Sequence, residues 1–188
     1  TKTLDVDGGT IKLDGNYPTG SNNVALGDAA LDASLTGGKN TAVGSNALST
    51  NTSGASNTGL GNGALLLNTT GSFNTAIGDD TLLLNTTASN NTAVGYQSLL
   101  ANTTGSALTA VGTAALDANT TGIDNTAVGV SSLGGNTTGN YNVAVGRTAL
   151  LNNTTASEST AVGYQAGYTG NAEQGTFIGK DSGKLVTG

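Results

Sequence analysis

The stretch that decides the fold is residues 91–107, which read NTAVGYQSLLANTTGSA. It carries no charged residue, and close copies of it fill the chain. The motif Asn-Thr-Ala-Val-Gly that opens it recurs every 17 residues, and a looser tenth copy at Gly175 follows after 16. The regular copies begin at Asn23, Asn40, Asn57, Asn74, Asn91, Leu108, Asn125, Asn142 and Ser159. Repetition at a fixed spacing predicts stacked, nearly identical structural units.

Numbering each repeat from 1 to 17 shows which positions are constrained. Position 5 is glycine in all ten copies, and position 3 is Ala or Gly until Phe177. Positions 12 to 14 read Asn-Thr-Thr in six successive copies. Each unit is too short for a helical hairpin, and its segments Thr-Ala-Val and Ala-Leu are separated by turn-forming residues. The pattern therefore predicts an all-β chain, a parallel β-solenoid of about ten 17-residue coils with two short strands per coil.

Two rows of large aliphatic residues are predicted to form the repeat core. The position-4 row is Leu26, Val43, Leu60, Ile77, Val94, Val111, Val128, Val145, Val162 and Ile178. The position-9 row is Leu31, Leu48, Leu65, Leu82, Leu99, Leu116, Leu133 and Leu150. Two aliphatics per coil, at about 1.5–3 kcal/mol each, barely oppose the cost of ordering 17 residues. We therefore expect a homo-oligomer of rods along a common axis. The small residues at position 3 suggest a close approach of chains. The sequence leaves two alternatives for the apolar row that faces the partner chain.

Composition disfavours several classes of function. The net charge is −6, and no Lys or Arg lies between Lys39 and Arg147. Most of the chain therefore cannot neutralise phosphate, which argues against nucleic acids and anionic membranes as partners. No apolar run approaches the ~20 residues of a membrane-spanning helix. Because Cys and His are absent, we expect no cofactor and no metal site.

The candidate sites are few. Asp79 and Asp80 form the only acidic pair, but adjacent strand residues point to opposite faces, so we interpret them as a solvated turn and expect no catalysis. The Asn-Thr-Thr and Asn-Thr-Ser turns hold seven glycosylation sequons, which we interpret as turn chemistry. The denser aromatic group Tyr164, Tyr168 and Phe177 is a candidate ligand contact, with capping or packing as the alternative.

Threonine fills position 2 in eight of the ten copies, which raises the possibility of an ice-binding face. The next residue on the same face is the aliphatic of position 4, so the threonine row has no second row beside it. Ice binding is therefore less favoured than a role as a fibre segment or an adhesin.

The pattern Asn-Thr-Ala-Val-Gly-x-x-Ala-Leu, over residues 21–180, resembles the head repeats of trimeric autotransporter adhesins. That resemblance implies a left-handed parallel β-roll assembled as a homotrimer. The chain also resembles repeat regions of bacteriophage tail fibres, both in its repeats and in the segment GGTIKLDGNYPTGSNNVALGDAALD at residues 8–32. This second resemblance implies a stiff segment of a virion tail that supports attachment to a host-cell receptor or glycan. The alternative is an adhesin head on a bacterial surface, whose rod itself binds host or matrix ligands.

We divide the chain into three parts. Residues 1–20 lie outside the repeat and are interpreted as a β cap or junction. Residues 21–157 are predicted to form the regular rod, and residues 158–188 are interpreted as divergent repeats or a cap. In these last repeats the leucine of position 9 becomes Gly167 and Gly183.

Overall fold

The computed structural model describes residues 22–33, 36–169, 171 and 173–184, so the predicted N-terminal cap lies outside the described residues. Ten strands of three residues each occupy positions 2 to 4 of successive repeats. They are β1 Val24–Leu26, β2 Thr41–Val43, β3 Thr58–Leu60, β4 Thr75–Ile77, β5 Thr92–Val94, β6 Thr109–Val111, β7 Thr126–Val128, β8 Val143–Val145, β9 Thr160–Val162 and β10 Thr176–Ile178.

All ten strands form one parallel sheet in chain order. Neighbouring strands pair in the register of the repeat, so that Thr75 lies opposite Thr92 and Ile77 opposite Val94. The backbone N–H of Thr75 donates to the carbonyl of Asn91 at 2.8 Å, and equivalent bonds recur along the stack. The predicted parallel β-solenoid with coils of about 17 residues is therefore confirmed.

Each coil has one strand, so the prediction of two strands per coil is wrong. The Ala-Leu segment forms consecutive turns, because the residues at positions 7 and 9 have left-handed backbone conformations. In the fifth coil these are Gln97 at φ 55° and Leu99 at φ 54°. An alternation of left-handed residues cannot keep an extended path, and each coil closes with a chain of turns instead.

The apolar half of the interior is made by positions 3, 8 and 9. The leucines of position 9 are at most 1% exposed, from Leu31 to Leu150. The alanines of position 3, such as Ala93 and Ala110, are fully buried against them. Because strand residues alternate between faces, burying position 3 turns position 4 outward. The prediction that position 4 fills the core is therefore wrong for the single chain, and the position-3 row cannot face a partner.

The other half of the interior is polar and is built from the asparagines of positions 1 and 12. In the fifth coil both Asn91 and Asn102 donate their Nδ2 to the carbonyl of Gly105, at 2.9 Å each. Asn102 also donates to Oδ1 of Asn85 in the coil before it, at 3.0 Å. These side chains are fully buried, and each one connects neighbouring coils. A ladder of this kind satisfies amide groups that would be costly to bury alone.

The apolar core ends at Phe177, where the size pattern of the repeat is inverted. Phe177 takes the place of the small position-3 residue, and its ring packs against the core. A Cβ on Gly167, Gly175 or Gly183 would lie within 2.8 Å of that ring. The glycines that replace leucine in the last two coils therefore make room for one aromatic ring.

Candidate interaction surface

The most regular exposed feature of the rod is the outer surface of the parallel sheet. We define the outer face as the side chains of positions 2 and 4 in all ten strands. Eight position-4 residues are 36–62% exposed, and Val43 and Val94 are half-buried. The eight are Leu26, Leu60, Ile77, Val111, Val128, Val145, Val162 and Ile178. A continuous row of exposed aliphatics along one face is typical of an interaction surface.

The threonines of position 2 stand beside this aliphatic row. Within the described part of the chain, the hydroxyls of Thr75, Thr92 and their equivalents make no hydrogen bond. The threonines of position 13 differ, since Thr86 donates its hydroxyl to the carbonyl of Thr103 at 3.1 Å, and this bond recurs along the rod. The outer face therefore combines an aliphatic row with a row of hydroxyls that are open to a partner.

A second apolar patch lies on positions 10 and 11 of the third to fifth coils, and our sequence reasoning missed it. It consists of Leu66, Leu67, Leu83, Leu84 and Leu100, of which Leu67 is 38% and Leu84 is 36% exposed. The signal was present in the two successive Leu-Leu-Leu-Asn stretches that precede the asparagine turns. Asp117 and Gly134 take position 10 in the next two coils, so the patch covers only part of the rod.

The three aromatic residues proposed as ligand contacts do not form one surface. Tyr164 is 45% exposed at position 6. Tyr168 is half-buried, with the Nζ of Lys184 5.5 Å from its ring centroid. Phe177 packs against the core, so its interpretation as a ligand contact is corrected to a core cap.

The acidic pair is placed at a turn. Asp79 is exposed, whereas Asp80 is half-buried with φ 53°. No group of three or more His, Cys, Asp or Glu side chains suited to a metal ion occurs among the described residues. In the same part of the chain, no helix is long and apolar enough to cross a membrane.

The seven sequon asparagines lie in the interior of the rod. Asn68 is typical, because it is fully buried and its Nδ2 donates to Oδ1 of Asn51 at 2.8 Å and to the carbonyl of Gly71 at 3.0 Å. An amide nitrogen held in this way is not accessible to a glycosylating enzyme. The structural interpretation of the Asn-Thr-Thr turns is therefore the one that the contacts support.

One carboxyl on the turn side of the rod has a perturbed proton affinity. Burial raises the pKa of Asp117 above its ordinary value, and hydrogen bonds from the backbone N–H groups of Asp117 and Ala118 offset part of this effect. Because the folded pKa is raised, the charged form of this carboxyl destabilises the folded rod at neutral pH. That destabilisation fades as the pH falls through the raised pKa.

We expect Asp117→Asn to stabilise the rod at pH 7 and to reduce its gain in stability between pH 7 and about pH 4. The measurement is the thermal unfolding midpoint at several pH values, followed by circular dichroism. Asp32→Asn is a matched control, because Asp32 is exposed at the same position 10 of the first coil. An equal pH dependence of Asp117→Asn and the parent would contradict the assignment to this carboxyl.

Comparisons with protein-family models, with curated proteins and with solved structures found no match to this chain.

Proposed function

We propose that this chain is a shaft segment of a bacteriophage tail fibre, a stiff homotrimeric rod that supports attachment of a virion to its host cell. The observation that carries the proposal is the unbroken aliphatic row of the outer face, on a rod whose own apolar core holds one leucine per coil. The role is structural rather than catalytic, and the site of action is the virion tail. The left-handed winding implied by the resemblance belongs to the same proposal.

The energetics of a single coil support assembly. Most regular coils bury one leucine and two small residues, which is less apolar surface than two large aliphatics would bury, and the sixth coil also buries Leu108. Burying a half-exposed aliphatic at position 4 in an interface adds about 1 kcal/mol per coil and chain, from ~25 cal/mol per Å² of apolar surface. Repeated over ten strands, this gain is large relative to the marginal stability of ordinary domains.

The width of the outer face supports three chains. The outer face together with the residues at its two borders, from position 17 of one coil to position 6 of the next, spans about 20 Å at ~3.3 Å per residue. Three such faces around an axis leave about 6 Å from each backbone to the centre, close to the ~5 Å that each partner of a packed sheet pair fills. Four faces would leave about 10 Å and hence a central channel lined by aliphatic residues.

The oligomeric state is tested by light scattering together with sedimentation velocity. Three chains of 18.2 kDa give 54.6 kDa, and we expect an elongated particle of that mass. A folded monomer would overturn the proposal. Thermal hysteresis of such a monomer would instead support ice binding by the threonine row.

A shaft and an adhesin head differ in where the binding energy lies. Deleting residues 57–90 removes two whole coils and joins Ser56 to Asn91, so that the repeat continues in phase. A shaft should become about 10 Å shorter, at ~4.8 Å per coil, and still support host attachment. A proportionate loss of binding to cells or matrix would instead favour the bacterial surface adhesin.

A further inference from the structure

Two exposed rows border the outer face, one at each end of the strands. The position-17 row precedes each strand, and the position-6 row follows the glycine that ends it. The rows hold the most exposed aromatic side chains of the rod, with Phe73 at 63%, Tyr141 at 55%, Tyr96 at 49% and Tyr164 at 45%. Five residues, three of them in the strand, separate the rows within one chain, so a residue of one row cannot reach the other row on the same rod.

Rotational symmetry determines which rows meet between chains. Around an axis parallel to the rods, the position-6 border of one copy lies beside the position-17 border of the next. A two-fold axis perpendicular to the rods would instead bring each row against itself. Residue classes that match between the two rows therefore indicate a parallel assembly, and the stagger of the match gives its axial register.

One stagger matches all nine pairs that the described residues allow. In this stagger, the position-6 residue that follows one strand lies opposite the position-17 residue that precedes the previous strand of the neighbouring copy. Where both members of a pair are charged, their charges have opposite signs. Apolar residues meet apolar residues, and uncharged polar residues meet either polar or charged residues. The pairs are Ser45 with Asn22, Asn62 with Lys39, Asp79 with Ser56, Tyr96 with Phe73, Thr113 with Asn90, Val130 with Ala107, Arg147 with Asp124, Tyr164 with Tyr141, and Lys180 with Glu158.

We propose that copies of this chain pair in this register, with position-6 residues of one copy against these position-17 residues of the next. The inference rests on the proposed parallel trimer and adds the residues that align it. Arg147 and Asp124 are free to form one of these pairs, because neither side chain forms an ion pair within the described part of the chain. Both are exposed at the borders and are available to a neighbouring copy.

Neighbouring registers fit less well. With no stagger, Asp79 meets Phe73 and Asp124 meets Val130, which places carboxylates against apolar side chains. The opposite stagger also forms two pairs of opposite charge, Asp28 with Lys39 and Arg147 with Glu158, but it places the rings of Phe73 and Tyr164 against the amides of Asn62 and Gln174. A stagger of one coil, about 4.8 Å over a face about 20 Å wide, requires only a modest tilt of the strands.

Disulfide trapping tests the register directly, because the chain has no cysteine of its own. Three double variants share Arg147→Cys and add a second cysteine on the position-17 row. Asp124→Cys tests the proposed register, Tyr141→Cys tests the absence of stagger, and Glu158→Cys tests the opposite stagger. The second sites have φ of 54°, 58° and 60°, so the new cysteine meets the same backbone conformation in each variant.

Each variant is first checked for a parent-like circular dichroism spectrum and mass, then oxidised mildly and boiled in SDS without reductant. We expect the Asp124→Cys variant to give a covalent trimer at least ten times faster than the other two. A faster reaction of either control would overturn the register while the trimer stands. A particle that sediments as a trimer but cross-links in no variant would overturn the pairing of the two border rows. A monomeric mass before oxidation would overturn the proposed function itself.

Charge reversal gives a second readout that needs no cysteine. Asp124→Lys should lower the temperature at which the trimer dissociates, because it places two positive charges opposite each other. Adding Arg147→Glu should restore most of the loss, since the pair is again of opposite sign. Equal effects of the single and the double variant would contradict a contact between these two residues.

Discussion

Gly95→Ala is expected to destabilise the rod by about 4 kcal/mol, among the largest effects of a single substitution. Gly95 has φ 131°, a conformation that is almost restricted to glycine. A Cβ at this position would also lie 2.6 Å from the carbonyl oxygen of Gly112 in the next coil. The neighbouring atom is backbone and cannot rotate away, so two coils would have to separate and lose hydrogen bonds. The measurement is the free energy of unfolding in denaturant, followed by circular dichroism.

Two further glycines separate the causes of this effect. Gly179 has φ 107° but no atom within 4 Å of its virtual Cβ, so Gly179→Ala should show the conformational strain alone, about 1–2 kcal/mol. Gly134 is buried and has an ordinary φ. A Cβ there would lie 3.0 Å from Leu151 Cδ1 and 3.3 Å from the carbonyl oxygen of Ser131, both farther than the 2.6 Å at Gly95, so Gly134→Ala should change stability by less than about 1 kcal/mol. Equal losses for Gly95→Ala and Gly179→Ala would show that the close approach of the coils is not the cause.

The sequence predicted the stacking of the rod because a repeat of fixed length constrains every coil equally. Asn74 and Asn91 are separated by the same number of residues as Thr75 and Thr92, which pair between β4 and β5. The sequence repeat therefore has the same period as the hydrogen-bonded stacking of the strands. The glycine of position 5 was also interpretable, because an invariant residue without a side chain implies a special φ or a close backbone contact. The structure shows both at Gly95.

The shape of each coil could not be predicted in the same way. Leucine rarely adopts a left-handed backbone conformation. Leu99 nevertheless has φ 54°, and the other leucines of position 9 have φ within a few degrees of this value. The burial of Leu99 and the backbone bond from its N–H to the carbonyl of Ala115 at 3.0 Å stabilise this conformation, and both depend on the neighbouring coil. The sequence of one coil therefore predicts a strand for the Ala-Leu segment, whereas contacts with the neighbouring coil stabilise turns there.

The direction of the outer face depended on which of two adjacent residues points inward. Ala93 and Val94 are both apolar, and the larger one was predicted to be buried. The buried leucine of position 9 leaves room for only a small residue opposite it, so the alanine faces inward and the valine outward. The match between the border rows, by contrast, is a property of the sequence alone, but it could be recognised only after the structure showed which positions border the face.

The polar half of the interior leads to the last prediction, which is that Asn102→Asp destabilises the rod by about 3–5 kcal/mol at pH 7. Asn102 is fully buried and donates its Nδ2 to Oδ1 of Asn85 and to the carbonyl of Gly105. A carboxylate has no donor, so an oxygen in place of Nδ2 would lie about 3 Å from two acceptors. Only the bond that Asn102 Oδ1 accepts from Asn119, at 2.9 Å, would remain.

Acid should reverse part of this loss. The surrounding acceptors and the burial raise the pKa of the new carboxyl, so its destabilising charge is fully present at pH 7 and disappears as the pH falls through the raised pKa. The protonated acid has one donor and can restore one of the two lost bonds. Unfolding free energies of the variant and the parent, measured from pH 7 to about pH 4, should therefore converge as the pH falls.

Two control variants at asparagine separate charge from lost hydrogen bonds. Asn46→Asp introduces the same charge at an exposed position with φ 57°, outside both border rows, where aspartate is tolerated, and should change stability by less than about 0.5 kcal/mol. Asn102→Leu removes these two hydrogen bonds and also the one accepted from Asn119, adds no charge, and should cost about 1–3 kcal/mol at every pH. The chain already accepts one such change, because Leu108 replaces asparagine in the position-1 row and is 1% exposed. A loss for Asn102→Asp that does not depend on pH would show that the buried charge is not its cause.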